Sequence, residues 1–488
     1  MQRIAFISEH ASPLALLGGT DSGGQNVYVA HLSRELARLG YLVDVYTRRD
    51  HPLQPMVVEW KTGVRVIHVN AGPAVTLPKE RLLPHMDAFA QSMLQMMRGH
   101  GWTYDLVHAN FFMSGMVARR LQRDAGLPFV ITFHALGRVR RQCQGSADGF
   151  PDERFLIEEA LMREADGVIA ECEQDRDDML ALYEARPARL AIVPCGFDPD
   201  ELWPVRETAR ASLGLPAQDF IVLQLGRMVP RKGVDNVLRA LQLLRDEHQV
   251  RATLLVVGGE ASAAEAMVSP EIRRLTALAR QLGIAEQVIF TGAQPRHRLR
   301  EYYSAADVFV TTPWYEPFGI TPLEAMACAT PVIGSAVGGI LSTVLDRQTG
   351  FLVPPHVPLP PQGSPPEALP DNAACAVAAL GPEAQRLLYY AALLFPLTGL
   401  QYSGKKKGKL ESVVFSVLSI DGLRRKHKEA DDVGRLLEGA TLFLRLAPVM
   451  AAAAAAASGG GGDASSLPAA LHEARLAVGL ALRQSVRE

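Results

Sequence analysis

The stretch Ile221-Val-Leu-Gln-Leu-Gly226-Arg227-Met-Val-Pro230-Arg231-Lys232-Gly233-Val-Asp-Asn-Val-Leu-Arg-Ala-Leu-Gln-Leu-Leu-Arg-Asp-Glu-His248 decides the fold. It opens with a short apolar run, passes through a turn marked by glycine and proline, and closes on apolar residues repeating every three or four positions. That pattern reads as a buried strand, a tight loop and an amphipathic helix. Comparable units follow it, with strands expected at 252–257, 288–291, 308–311, 331–334 and 350–353, and helices at 233–248, 270–282, 296–306 and 321–328. A similar series precedes it. Strands are expected at 3–8, 42–47, 64–69, 106–109, 129–133, 167–170 and 190–193, and helices at 26–40, 83–99 and 153–165. Apolar strands alternating with amphipathic helices make parallel sheets covered on both faces. The sequence therefore predicts an α/β protein of two facing Rossmann-like domains, over 1–200 and 201–357, with the default binding cleft between them.

Beyond residue 357 the pattern breaks. A Pro-rich linker is expected over 358–384, a helical segment over 385–450, and a low-complexity Ala/Gly stretch with a terminal helix over 451–488. The second domain is accordingly expected to be incomplete. The composition excludes a strong electrostatic partner, because a net charge of −2 across 488 residues creates no field that would steer the chain to nucleic acid or membrane. The five cysteines form no C-x-x-C pair and no zinc spacing, which fits a reducing compartment. The first residues read as a strand and not as a secretory signal, and no apolar run is long enough to span a bilayer. A cytoplasmic location is expected.

Four loop segments at strand ends carry candidate chemistry. The first, Gly18-Gly19-Thr20-Asp21-Ser22-Gly23-Gly24-Gln25-Asn26, lets backbone N–H groups approach a ligand and aims a helix N-terminus at it, which favours phosphate. A plain capped loop is the competing reading. In the second, Arg227 can fork onto a diphosphate and Lys232 adds a compact charge; a solvated basic loop competes. The third runs from Glu316 through Phe318, Gly319, Ile320 and Thr321 to Glu324. It places two carboxylates across a loop–helix junction, with N–H groups between them suited to an anion, and a carboxylate can accept from vicinal ribose hydroxyls. The competing reading is a helix-start glutamate that only complements the dipole. The fourth, Thr132-Phe133-His134, puts a histidine at a strand end, where it either lines the cleft or packs structurally. The D-x-D form at Asp198-Pro199-Asp200 reads as a turn, and Asp175, Asp177 and Asp178 read as a solvated helix face. No metal site is expected.

The E-x7-E segment, the GR-x-x-x-R-K-G segment, the GG-x-x-V-Y start and the TFH segment occur in an order that resembles the family 4 retaining glycosyltransferases, over about 1–357. The likeness is to the branch of sucrose-phosphate synthases and inositol-phosphate glycosyltransferases. It implies a GT-B fold and transfer of a hexose-type sugar from a nucleotide sugar to a hydroxyl of a carbohydrate or sugar-phosphate acceptor, without metal or other cofactor. By the same resemblance Arg227 and Lys232 bind the donor diphosphate, Glu324 its ribose and Glu316 its sugar. Gly23 and Gly24 approach the diphosphate from the other domain, the backbone of Phe318, Gly319, Ile320 and Thr321 holds an anion, and His134 lines the sugar pocket. Glu316, His134, Arg227 and Lys232 then form the catalytic group. Asn26, Lys79 and Arg154 stand on the acceptor side, although Phe111 and Ala135 occupy positions where the inositol-phosphate enzymes carry Tyr and Thr. The tail over about 385–450 is similar instead to the C-terminal region of eukaryotic tRNA nucleotidyltransferases, without that family's G-G-x-V-R-D head. The alternative function is therefore an RNA-associated helical module carried on an inactive transferase domain, with the basic run 405–409 as its RNA contact.

Overall fold

The computed structural model describes residues 2–15, 23–259 and 269–353. Residues 18–22 of the Gly-rich turn lie outside them, as do the linker, helical segment and low-complexity stretch expected over 358–488. Among the described residues the first lobe holds strands β1 (Arg3–Ile7), β2 (Leu42–Arg48), β3 (Val57–Lys61), β4 (Val64–Val69), β5 (Leu106–Asn110), β6 (Phe129–Thr132), β7 (Gly167–Ala170) and β8 (Leu190–Ile192). They lie in the order β3-β4-β2-β1-β5-β6-β7-β8, and every pairing is parallel except that of β3 with β4. The helices of this lobe are α1 (Gly24–Arg38), α2 (Met86–His100), α3 (Phe112–Ala125), α4 (Gly137–Gln144), α5 (Glu153–Glu164) and α6 (Glu173–Tyr183).

The second lobe repeats the plan with β9 (Ile221–Leu225), β10 (Thr253–Val257), β11 (Val288–Gly292), β12 (Val308–Thr311), β13 (Val332–Ser335) and β14 (Gly350–Val353). Its order is β11-β10-β9-β12-β13-β14, wholly parallel. Helix α7 (Arg206–Ser212) precedes the sheet, and α8 (Val234–His248), α9 (Pro270–Gln281), α10 (Arg296–Ala305), α11 (Ile320–Ala327) and α12 (Ile340–Thr343) follow its strands. The strands are apolar because both sheet faces are covered: all five residues of β9 and all four of β12 are buried. In each sheet the strand order reverses beside the first strand, between β1 and β5 and between β9 and β12. A crevice opens at such a reversal outside the carboxyl ends of the strands, and the loops singled out above leave those ends. No helix among the described residues is long and apolar enough to cross a membrane.

Two differences from the sequence reading have physical causes. Strand β3 has no counterpart among the expected strands. It lies at the sheet edge and runs antiparallel, so its residues are half-buried or exposed and it lacks the apolar run that marks a central strand. The second difference corrects the reading of Asp175 as solvated. Asp175 is buried at the start of α6, where its Oδ2 accepts the Glu171 backbone N–H at 3.0 Å and its own N–H donates to Cys172 Sγ at 3.3 Å. Asp177, two residues on, is exposed as expected.

Burial, reinforced by the Glu171 carboxylate, pushes the Asp175 carboxyl up to about 8. The native state therefore holds a proton that the unfolded chain releases near pH ~4. This contribution to stability is present in full below that value and is lost as pH rises toward about 8. Asp175→Asn keeps the amide acceptor and removes the titration. Its melting temperature is expected to exceed that of wild type at pH ~8 by a few degrees, with the gap closing toward pH ~5. A constant gap in melting temperature across that range would refute the assignment.

Candidate functional site

Two loops make the floor of the second-lobe crevice. The loop after β9 carries Arg227, Arg231 and Lys232, and the loop after β12 carries Tyr315, Glu316 and Phe318. They are stitched together at three levels. Thr312 Oγ1 donates to the Gly233 carbonyl at 2.7 Å, the Trp314 N–H donates to the Arg231 carbonyl at 2.9 Å, and the Lys232 ammonium donates to the Glu316 carboxylate. Burial works against the charged form of both partners. Burial, with Arg231 and Arg227 nearby, holds the Lys232 ammonium below its ordinary pKa, while Glu316 opposes that fall. Burial would raise the Glu316 carboxyl, but Lys232, Arg231 and Arg227 together overcome it and hold it below the usual carboxylate range. Among the described residues, three cations thus act together on the Glu316 carboxylate.

Phe318 is buried, and Gly319, with φ of +84°, turns the chain from the loop into α11. Ile320 and Thr321 open that helix, so their N–H groups lie in its first turn, where no intrahelical acceptor is available. Glu324, buried one turn on, accepts from the Arg296 guanidinium and, through Oε2, from Tyr303 Oη–H at 2.8 Å. The carboxylate keeps lone pairs beyond these two bonds.

The first lobe meets this floor at α1. A Cβ on Gly23 would stand 3.0 Å from Arg227 Cδ, and one on Gly24 would stand 3.4 Å from Ile320 Cδ1. The helix N-terminus therefore abuts the cationic loop, and glycine gives it the closest approach. Contacts also run the other way across the cleft: Gln144 Nε2 donates to Tyr315 Oη at 2.7 Å, and Cys172 Sγ donates to the Pro317 carbonyl at 3.3 Å.

The first-lobe candidates divide. His134, at the end of β6 with φ of +58°, sets Nδ1 3.0 Å from Glu171 Oε1 and Nε2 3.1 Å from Asn110 Oδ1, and packs edge-on against Tyr28. It is positioned at the crevice and is also fully engaged with protein groups. Asn26 was expected on the acceptor side, yet its amide serves the turn. Its Oδ1 accepts the Gly23 N–H at 2.9 Å and its Nδ2 donates to the Ser12 carbonyl at 2.9 Å. Arg154 is fully buried, not lining an open surface. Nε donates to Glu158 at 2.7 Å, Nη2 donates to the Ala135 carbonyl, and the guanidinium lies under the rings of Phe111, Phe112 and Phe150. Lys79 is nearly buried, 3.9 Å from Glu80. The D-x-D segment is a turn: the Asp200 N–H donates to Asp198 Oδ1 at 2.9 Å, and Asp198 pairs with Arg34.

Sequence reasoning missed three contributors. Tyr315 carries Arg231 over its ring at 5.0 Å. Arg296 holds Glu324, and its signal was a cation at the first position of a helix, where the dipole disfavours it. Gly338-Gly339 underlies the 316–318 loop, since the Gly339 N–H donates to the Glu316 carbonyl at 2.9 Å. A Cβ on Gly339 would lie 2.0 Å from the Phe318 carbonyl oxygen. Gly339 has φ of −65°, so it is space and not backbone conformation that demands glycine. Gly339→Ala is expected to displace the loop, lower stability by about 1–3 kcal/mol and accelerate amide exchange over 315–319. Unchanged exchange there would show that the contact does not hold the loop.

Comparison with known proteins gives this geometry its family. The model described as "Glycosyl transferase 4-like domain" matches residues 23–196, and the one described as "Glycosyl transferases group 1" matches 205–358. D-inositol 3-phosphate glycosyltransferase of Xylanimonas cellulosilytica is 37% identical over 367 residues, covering 73% of this chain and 86% of the relative. The protein of the same name from Kineococcus radiotolerans is 38% identical over 373 residues, covering 73% and 85%. Among solved structures, sucrose-phosphate synthase from Thermosynechococcus elongatus superposes with a TM-score of 0.70 at 35% identity, covering 80% of this chain and 91% of that one. Two parallel sheets with facing switch points, a cationic loop stitched to an E-x7-E loop, and relatives matched along most of their length lead to one conclusion: the chain is a GT-B-fold glycosyltransferase and belongs to the group 1 and 4-like glycosyl transferases.

Proposed function

We propose that the chain moves a hexose-type sugar from a nucleoside-diphosphate sugar to a hydroxyl of a small carbohydrate or sugar-phosphate acceptor, with retention and without a metal ion. The observation that carries this reading is the half-buried Lys232–Glu316 pair flanked by Arg227 and Arg231, with buried Glu324 one helical turn beyond. Fixed cations in a site of low dielectric stabilise a departing diphosphate as its charge develops, which is the role a divalent ion would otherwise fill. Arg227 and Lys232 supply that charge, and the first N–H groups of α11 and the N-terminus of α1 add dipoles of the same sign. Glu324 accepts from the ribose hydroxyls. Glu316 keeps the ammonium in place and offers its remaining lone pairs to the hydroxyls of the sugar. No general base stands free beside these groups among the described residues, since His134 is engaged at both ring nitrogens. Front-face attack, with the departing phosphate drawing the acceptor proton, accords with that arrangement. The names of the relatives, which act in inositol-phosphate and sucrose-phosphate chemistry, support a phosphorylated sugar or polyol as acceptor.

Calorimetric titration of the full chain with UDP, GDP and ADP tests the donor site. One of them is expected to bind with a Kd on the order of micromolar, and Lys232→Ala or Glu324→Ala is expected to weaken it by at least about tenfold. Circular dichroism establishes that each variant is folded. Absence of binding by all three to the folded wild-type chain would sink the proposal.

A further inference from the structure

Glu324 does not stand alone in the second lobe. The Arg296 guanidinium that holds it is shared: Nη1 donates to Glu324, and Nε donates to Glu201 Oε2 at 3.2 Å. Glu201 lies in the connection between the two sheets, and α1 of the first lobe holds it there. Arg34 Nη1 donates to Glu201 Oε1 at 3.0 Å, and His31 Nε2 lies 3.3 Å from Oε2. Arg34 reaches with its other terminal nitrogen to Asp198 in the same connection. The contacts close into a ring, because the start of α1 abuts the start of α11 at Gly24 and Ile320. From that junction one path runs along α11 to Glu324, Arg296 and Glu201. The other runs along α1 to His31 and Arg34, roughly 10–15 Å at ~1.5 Å per residue, and meets the first at Glu201.

An isolated surface ion pair contributes little. This one is a network of five charged or titratable side chains besides Glu324. Arg296 is 21% exposed, Arg34 19% and Asp198 7%. Removing one partner leaves others in a partly desolvated place without compensation. A guanidinium is also a rigid planar fork, so a displacement at Nε is carried to Nη1. Moving Glu201 therefore moves the group that orients the Glu324 carboxylate.

We propose that Arg296 and Glu201 are positioning residues of the donor site, tying the Glu324 carboxylate to the inter-lobe connection and to α1, so that nucleotide binding and the setting of the two lobes are one coupled equilibrium. The inference rests on the reading of Glu324 as a nucleotide ligand. By linkage the coupling is reciprocal: a change in the connection alters nucleotide affinity, and nucleotide alters the connection.

The test uses the full chain and UDP, GDP and ADP as probes. Glu201→Gln and Arg296→Gln are each expected to weaken the preferred nucleotide about five- to tenfold, the low end of inter-site coupling. The double variant is expected to be no weaker than Arg296→Gln alone, because Glu201 acts through Arg296. Small-angle scattering is expected to show a nucleotide-dependent change in radius of gyration in wild type that Glu201→Gln diminishes. Role as simple glue would lower the melting temperature and leave these readouts unmoved. Unchanged affinities, additive losses or an unaltered scattering response overturn the proposal. Should Arg296→Gln fail to fold, His31→Asn combined with Arg34→Gln cuts both contacts of Glu201 with α1 and leaves Arg296 intact. A loss of affinity then supports the coupling and no loss overturns it. Glu324→Ala separates the two levels: if it binds nucleotide as wild type does, the donor-site reading itself has failed, whereas loss in Glu324→Ala beside unchanged Glu201→Gln and Arg296→Gln condemns the coupling alone.

Discussion

The site rests on one largely enclosed ion pair, Lys232 with Glu316, whose side chains keep only 13% and 17% exposure. Two charges removed from water are tolerated only when each satisfies the other and neighbouring groups satisfy what remains. Here the pair sits between two loops already joined through Thr312 with Gly233 and through Trp314 with Arg231. The backbone contacts fix the distance at which ammonium and carboxylate meet, and the pair in turn forbids the loops to part. Arg227 and Arg231 are brought alongside by the same loop. Four functional side chains are thereby placed by two strand ends, β9 and β12, at the reversal of strand order in their sheet.

The gathering of cations around one carboxylate is the chemical point of that arrangement. Among the described residues, Lys232, Arg231 and Arg227 all act on the Glu316 carboxylate. The first lobe contributes less charge and more shape: glycines at the start of α1 allow contact with Arg227 and Ile320, and Tyr315 and Pro317 receive Gln144 and Cys172 from across the cleft. Among the described residues the lobes thus meet at the site through both polar contacts and close carbon approaches.

Much of this was legible in the sequence, because the parallel sheet announces itself through apolar strands and the ligand loops through glycine, arginine and glutamate at strand ends. Arg227, Lys232, Glu316 and Glu324 were expected just beyond strand ends in that way, and they lie there. What escaped depends on contacts between segments distant in sequence. Arg296 holds Glu324 across 28 positions, and no local periodicity reports such a pairing. Gly339 matters for a carbonyl two loops away, a steric fact with no signature beyond the glycine itself. Asp175 was misread because a polar helix start looks the same whether water or protein covers it. Asn26 and Arg154 show the converse: the family resemblance suggested acceptor ligands, while the fold engages the Asn26 amide and buries Arg154 against Glu158 and three phenyl rings.

The reversed edge strand β3 has a consequence for life at high concentration. A parallel sheet ends in a row of unused donors and acceptors that invites pairing with another molecule. Here β4 is capped by a strand running the other way, irregular between Glu59 and Lys61 and with Glu59 opposite Arg65. A foreign strand arriving at that rim would meet a kinked, alternately charged border. The eight-stranded sheet thus has a finished hem on this side, and molecules can crowd without knitting into one another there.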